Sequence, residues 1–127
     1  MNFIPNSIHA RDVQSIVHPQ TNLKKHQEIG PMLVTHGEGV RIFDDNGQDY
    51  IESVAGLWCA SLGFGVERLA AVAYEQMRTL GYYHSYRHRT NEPNIILAEK
   101  LLSIAPVPMS KVLFQCSGSE ANDTAIK

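Results

Sequence analysis

The stretch that most constrains this chain is its last seventeen residues. Lys111-Val112-Leu113-Phe114-Gln115 is rich in strand formers, and Cys116-Ser117-Gly118-Ser119-Glu120 then turns into the helix-forming run Ala121–Lys127. Strand, tight turn and helix N-terminus together aim free backbone N–H groups and a positive dipole end at one point, where anions bind. Ser117 with Glu120 three residues on also fits a capping box, and capping would compete with a ligand for the same donors. Gly118 favours a ligand because it lets one approach the backbone closely. No Walker lysine follows, which argues against a nucleotide P-loop. On spacing alone both cap and anion site stand.

Upstream, residues 1–30 show no sustained period and carry Pro5, Pro19, three of the six histidines and the polar run Thr21–Glu28. They read as an irregular arm with one short helix near Arg11–Val17. Residues 31–53 read as β: Met32–His36, then Val40–Asp44 and Asp49–Glu52 around Asp45-Asn46-Gly47-Gln48. The Asn-Gly pair supplies the positive φ angles a tight hairpin needs. Val54–Gly65 is a small-residue loop with the only tryptophan, Trp58. Val66, Leu69, Ala73, Met77 and Leu80 then fall on one helical face, stopped by Gly81. A second helix starts near Thr90–Pro93, buries Leu97, Leu101, Leu102 and Ile104, and ends at Pro106 and Pro108. Residues 1–65 thus form an arm, β-meander and Trp loop. Residues 66–127 hold two helices, a strand and a helix start, a small α+β segment leading into an α/β domain.

A net charge of −2 and 43% hydrophobic residues are ordinary for a globular chain and point to neither nucleic acid nor a membrane. No apolar run approaches the ~20 residues of a membrane-spanning helix. The N-terminus lacks a secretory pattern. Cys59 and Cys116, far apart, read as free thiols of a reducing cytoplasm.

Other candidate sites carry bland readings beside the sharp ones. Gly63-Phe64-Gly65 begins like a dinucleotide fingerprint but has Arg68 at the sixth position and no firm strand before it, so loop glycines are the better reading. His84 and His88 have the i, i+4 spacing of helical metal ligands, yet no third ligand lies near, and the reading is no metal. Tyr82–Arg89, aromatic and basic, suits a subunit or substrate surface. Trp58 is open between core packing and a pocket wall.

Ser117–Lys127 resembles the phosphate-cup signature of the class III, pyridoxal-phosphate-dependent aminotransferases of fold type I. His18-Pro19, Gly37–Val40, Phe43–Gly47, Gly56–Cys59, Leu62–Gly65, Glu75–Met77 and Tyr82–Ser85 appear in that family's order and spacing. Leu57-Trp58-Cys59 is most similar to the branch acting on ω-amino acids and amines with pyruvate or a similar keto acid. The resemblance implies an α/β fold with a small-domain segment ahead of the cofactor domain. It implies cofactor binding by Ser117, Gly118 and Ser119, the latter two through backbone N–H groups and the Ser119 hydroxyl. It implies a substrate pocket lined by Leu57 and Trp58, with Tyr86 reaching the site of a second subunit in a homodimer. The substrates implied are a small-molecule amino donor and a keto-acid acceptor.

Two departures matter. Many relatives carry an aromatic after His-Pro where this chain has Gln20, which puts specificity at that end in doubt and admits a more polar substrate. The Schiff-base lysine motif is absent: none of Lys24, Lys25, Lys100, Lys111 or Lys127 lies in its context. The expectation is therefore an N-terminal fragment, inactive alone, of a cytoplasmic transaminase. The rival expectations are an aminomutase of the same fold type, or a non-catalytic chain that binds a full-length partner.

Overall fold

The computed structural model describes residues 3–127; Met1 and Asn2, at the head of the expected arm, lie outside the described residues. The chain separates into two compact units, Met1–Tyr74 and Glu75–Lys127.

The first unit opens with helix α1, Ile8–Ser15, whose N-cap Ser7 accepts the Ala10 N–H at 3.2 Å. It starts three residues before the expected helix. Helix α2, Leu23–Ile29, occupies the polar run read as irregular. Seven residues are too few to show a helical period, but the boundaries are chemical: Asn22 Oδ1 accepts the Lys25 N–H at 3.1 Å, and Gly30 follows the last turn. Asp12 of α1 accepts from His18 at 2.9 Å and from His26 of α2 at 3.1 Å. The His18 bond, working against burial and aided by the His26 bond and the nearby imidazoles, holds the Asp12 carboxyl below its ordinary range.

A three-stranded antiparallel meander follows: β1 Val34–Glu38, β2 Arg41–Asp44 and β3 Asp49–Ile51. Register runs Glu38 opposite Arg41 and Gly37 opposite Ile42, then shifts at a bulge between Val34 and His36. There the Thr35 hydroxyl donates to the Phe43 carbonyl at 3.1 Å. The hairpin is closed differently from the expected Asn-Gly turn: only Gly47 has positive φ, at 77°. Asp44 does the rest. Its Oδ1 accepts the N–H groups of Asn46 and Gln48, each at 2.9 Å, and its Oδ2 accepts the Tyr50 hydroxyl at 3.0 Å. Burial raises the Asp44 pKa, but these donated hydrogen bonds outweigh it and hold the carboxyl below its ordinary range. Tyr50 is pushed up, first by its bond to Asp44.

The Trp loop meets the turn after β1 at close range. The Phe64 N–H donates to the Gly39 carbonyl at 2.8 Å, and the Gly39 N–H returns a bond to Phe64 at 3.1 Å. A Cβ on Gly63 would sit 2.7 Å from the Gly39 oxygen, so the backbones meet this closely only with glycine there. Between the meander and this contact lies a single turn, α3, Ala55–Trp58. Its four φ values are positive: 50°, 57°, 60° and 69°. It is wound left-handed, and three of its four residues carry a Cβ, which costs ~1–2 kcal/mol each.

Helix α4, Glu67–Leu80, matches the expected periodic face, and the division between the units falls within it. In the second unit, helix α5, Glu92–Ile104, is capped by Asn91, whose side chain accepts the Asn94 N–H at 3.1 Å, with Pro93 in the first turn. Residues 111–115, expected as a strand, form none. A strand exists through its ladder, and among the described residues this segment has no partner. Helix α6, Gly118–Ile126, closes the chain.

No hydrophobic side chain among the described residues is buried; only His26 and Asp44 are. The accessible surface is 11,295 Å², where a self-contained 14.2 kDa protein exposes about 6,800 Å².

Candidate functional site

The N-terminus of α6 holds both the cap and the candidate anion site. Ser117 is extended, with φ −152° and ψ 162°, and its Oγ accepts the Glu120 N–H at 3.2 Å. The Glu120 carboxylate turns back to accept the Cys116 N–H at 3.0 Å. The cap is real, but it uses the N–H groups of Glu120 and Cys116. Those of Gly118 and Ser119, at the first two helical positions, have no partner among the described residues, nor does the Ser119 hydroxyl. Cap and anion site therefore use different donors, and the competition expected from sequence does not arise. An ideal Cβ on Gly118 would meet no heavy atom within 4 Å. Two N–H groups, one hydroxyl and open approach over a glycine suit a phosphate group.

The remaining candidates divide between the units. Leu57 and Trp58 lie in the first, on the left-handed turn, and Trp58 is 81% exposed. Its N–H donates to the Val54 carbonyl at 2.8 Å, fixing the backbone while the indole projects. Ser117, Gly118, Ser119 and Tyr86 lie in the second. Tyr86 is 70% exposed, its N–H donates to His84 Nδ1 at 3.1 Å, and the Arg87 guanidinium stands over its ring at 5.8 Å.

The two weaker candidates both fall outside regular helices. Gly63 and Gly65 serve the contact with the turn after β1 and lead into α4. His84 and His88 share no helix: residues 82–89 are irregular, and Arg87 and His88 have φ of 51° and 65°. The cluster that sequence reasoning missed is Asp12, His18 and His26, whose ligand-type atoms lie within 4.8 Å of one another. Spacings of six and eight residues match no metal motif. Only the α1–α2 pair, one half of it unforeseen, brings the three together.

A diaminobutyrate–2-oxoglutarate transaminase of Halomonas elongata is 39% identical over 119 residues, 92% of this chain and 25% of that protein. The omega transaminase of Pseudomonas jessenii, solved in complex with PMP, superposes with TM-score 0.90 at 52% identity, over 94% of this chain and 26% of that one. A thermostable omega transaminase variant engineered for enantiopure bulky amines, in which a tryptophan is replaced by glycine, superposes with TM-score 0.90 at 49% identity, covering 94% of this chain and 27% of that one. The chain thus spans about a quarter of the length of these relatives, and its mixed α/β segment is part of the fold type I transaminase architecture. The family described as "Aminotransferase class-III" matches residues 23–127, and the chain belongs to that family.

Proposed function

We propose that this chain supplies the cofactor-phosphate cup and part of the substrate-pocket wall of a pyridoxal-phosphate-dependent aminotransferase. The reaction would move an amino group from an ω-amino acid or amine to a keto acid such as pyruvate. The observation that carries the reading is the pair of unengaged N–H groups on Gly118 and Ser119, set beside the free Ser119 hydroxyl. Bound at this helix end, a phosphate gains ~0.3–2 kcal/mol from the dipole, depending on burial. Pyridoxal phosphate supplies an electron sink at the amine-bearing carbon of the substrate. Gly118 and Ser119 would hold its phosphate while Ser117 keeps the turn in shape through its bond to Glu120. Leu57 and Trp58 would wall the substrate, and the tryptophan replacement in a relative engineered for bulky amines supports that role for Trp58. Tyr86 would reach the site of a second subunit.

The Schiff-base lysine lies outside these residues in our reading. Lys127, nearest the cup in sequence, pairs with Asp123 at 2.6 Å. By themselves the 127 residues are expected to give no turnover with any donor and acceptor pair, and measurable transamination by them would overturn the reading. Both cysteines are unpaired, which supports a cytoplasmic setting.

The cup is tested directly by titrating the full chain with pyridoxal phosphate and with inorganic phosphate. Ser119→Ala is expected to weaken both, about tenfold for a lost hydrogen bond to a charged group. Gly118→Ala is expected to weaken both as well, while leaving the thermal midpoint unchanged or slightly raised, since the added Cβ meets open space. Binding unaffected by either substitution would count against the cup.

A further inference from the structure

Asp12, His18 and His26 come from three consecutive segments: α1, the connection after it, and α2. Both histidine Nε2 atoms point at one atom, Asp12 Oδ2, at 2.9 and 3.1 Å. Their rings are not stacked; the centroids lie 4.4 Å apart with planes tilted by 48°. His26 is buried and Asp12 partly so, whereas the His18 side chain keeps 31% of its surface exposed.

We propose that Asp12, His18 and His26 form a binding site for a divalent transition metal, zinc being the best match, which fastens α1 to α2. Around a tetrahedral zinc with bonds of ~2.0–2.1 Å, neighbouring ligand atoms stand about 3.3 Å apart. Two of the three ligand separations already lie within a few tenths of an ångström of that value. Asp12 must draw back from each imidazole only slightly to admit the ion, and all three ligand atoms already lie within 4.8 Å of one another. Two imidazoles and one carboxylate suit zinc, cobalt or nickel; the set has too few oxygens for calcium or magnesium and no thiolate for copper(I). Three protein ligands leave a fourth position, and the exposed His18 side gives a water access to it. In the metal-free state each Nε2 that donates to the carboxylate carries a proton. On metal binding the Nε2 lone pair goes to the ion, and each neutral ring holds its one proton on Nδ1. The ion would link residues 14 apart in sequence where now only hydrogen bonds through one carboxylate oxygen do so. The site lies in the first unit and shares no residue with the phosphate cup, so it stands or falls independently of the cofactor reading.

The test is calorimetric titration of the chelator-stripped full chain with Zn²⁺ alone, paralleled by Co²⁺ followed by visible absorption. One equivalent of Zn²⁺ per chain and a tetrahedral-type cobalt spectrum are expected. His18→Gln, outside both helices and on the open side, should weaken binding at least about tenfold while leaving helical circular dichroism unchanged. The pair His84→Ala and His88→Ala should leave affinity as it is. Because His26→Ala could unfold the buried clip, the same question is put to the unsubstituted chain by long-range ¹H–¹⁵N imidazole spectra. Zn²⁺ should shift the Nε2 signals of His18 and His26 and leave those of His9, His36, His84 and His88 in place. Absence of stoichiometric uptake, uptake unchanged by His18→Gln, or shifts confined to the other histidines would each overturn the proposal.

Discussion

A single carboxylate, Asp44, shows how one residue can set a local fold. Two backbone N–H groups and the Tyr50 hydroxyl all donate to it, and it sits at the corner that turns β2 into β3. Its folded pKa is depressed, so its contribution to stability is full above the unfolded value of about 3.9 and is lost as pH falls through the lower folded value. The meander should therefore loosen only in the acid range below about pH 4. Tyr50→Phe removes one of the donors that favour the ionised form. It should move the Asp44 titration upward, toward the ordinary carboxylate range, in a ¹³C-carboxyl NMR titration; an unmoved titration would show that the backbone donors alone set it. The sequence announced a hairpin here through Asn46-Gly47, and a hairpin forms. The closing device was not legible, because Asp44 reads as a strand end until the chain is seen to fold back over it.

At the scale of elements, legibility tracked the length of the apolar period more than boundary chemistry. Helices α4 and α5 show long apolar periods, and α5 adds an Asn cap and Pro93. Helix α2 has its cap and stop but too few residues for a period, and it was missed. Residues 111–115 have the composition of a strand, but β structure is defined by pairing, which composition cannot supply. The left-handed turn α3 was illegible for a different reason: Ala55, Leu57 and Trp58 have no intrinsic preference for positive φ, so nothing local proposes it. Strain of this kind persists only where surroundings over-determine it and tends to collect at functional sites. It is met here on the element that carries Trp58. Gly56 is the one residue in the turn that adopts its φ of 57° without steric cost. Gly56→Ala should destabilise the chain by ~1 kcal/mol, the left-handed penalty less the entropy gained by removing a glycine from the unfolded state. A denaturant melt checks it, and a neutral or stabilising result would show that the turn is not held as described.

For the molecule as a whole, the governing fact is a surface too large for its mass. The excess over a self-contained protein of this size is about 4,500 Å², more than an ordinary interface between two units of one chain covers (about 600–1,500 Å²). Trp58, Met77, Tyr82, Leu113 and Ile126 all stand largely exposed. The sequence showed which faces are apolar, and the structure has the elements that bear them. What neither contains within these residues is the opposing surface, so candidate core positions such as Leu69, Leu97 and Leu101 remain open to solvent. Apolar patches of this extent mark surfaces meant for a partner. The relatives are about four times as long, so the remainder of such a fold, in the same polypeptide or a second one, is the partner we propose. Two consequences are measurable on the 127-residue chain. At micromolar concentration it should self-associate in sedimentation velocity and bind a hydrophobic dye, because unpaired apolar faces find one another when nothing else covers them. The Trp58 fluorescence should be accessible to acrylamide in the dilute chain and become shielded as association proceeds. A monodisperse monomer that binds no dye and holds Trp58 shielded at all concentrations would mean that the chain buries a core of its own, and the reading of its surfaces as interfaces would have to be given up.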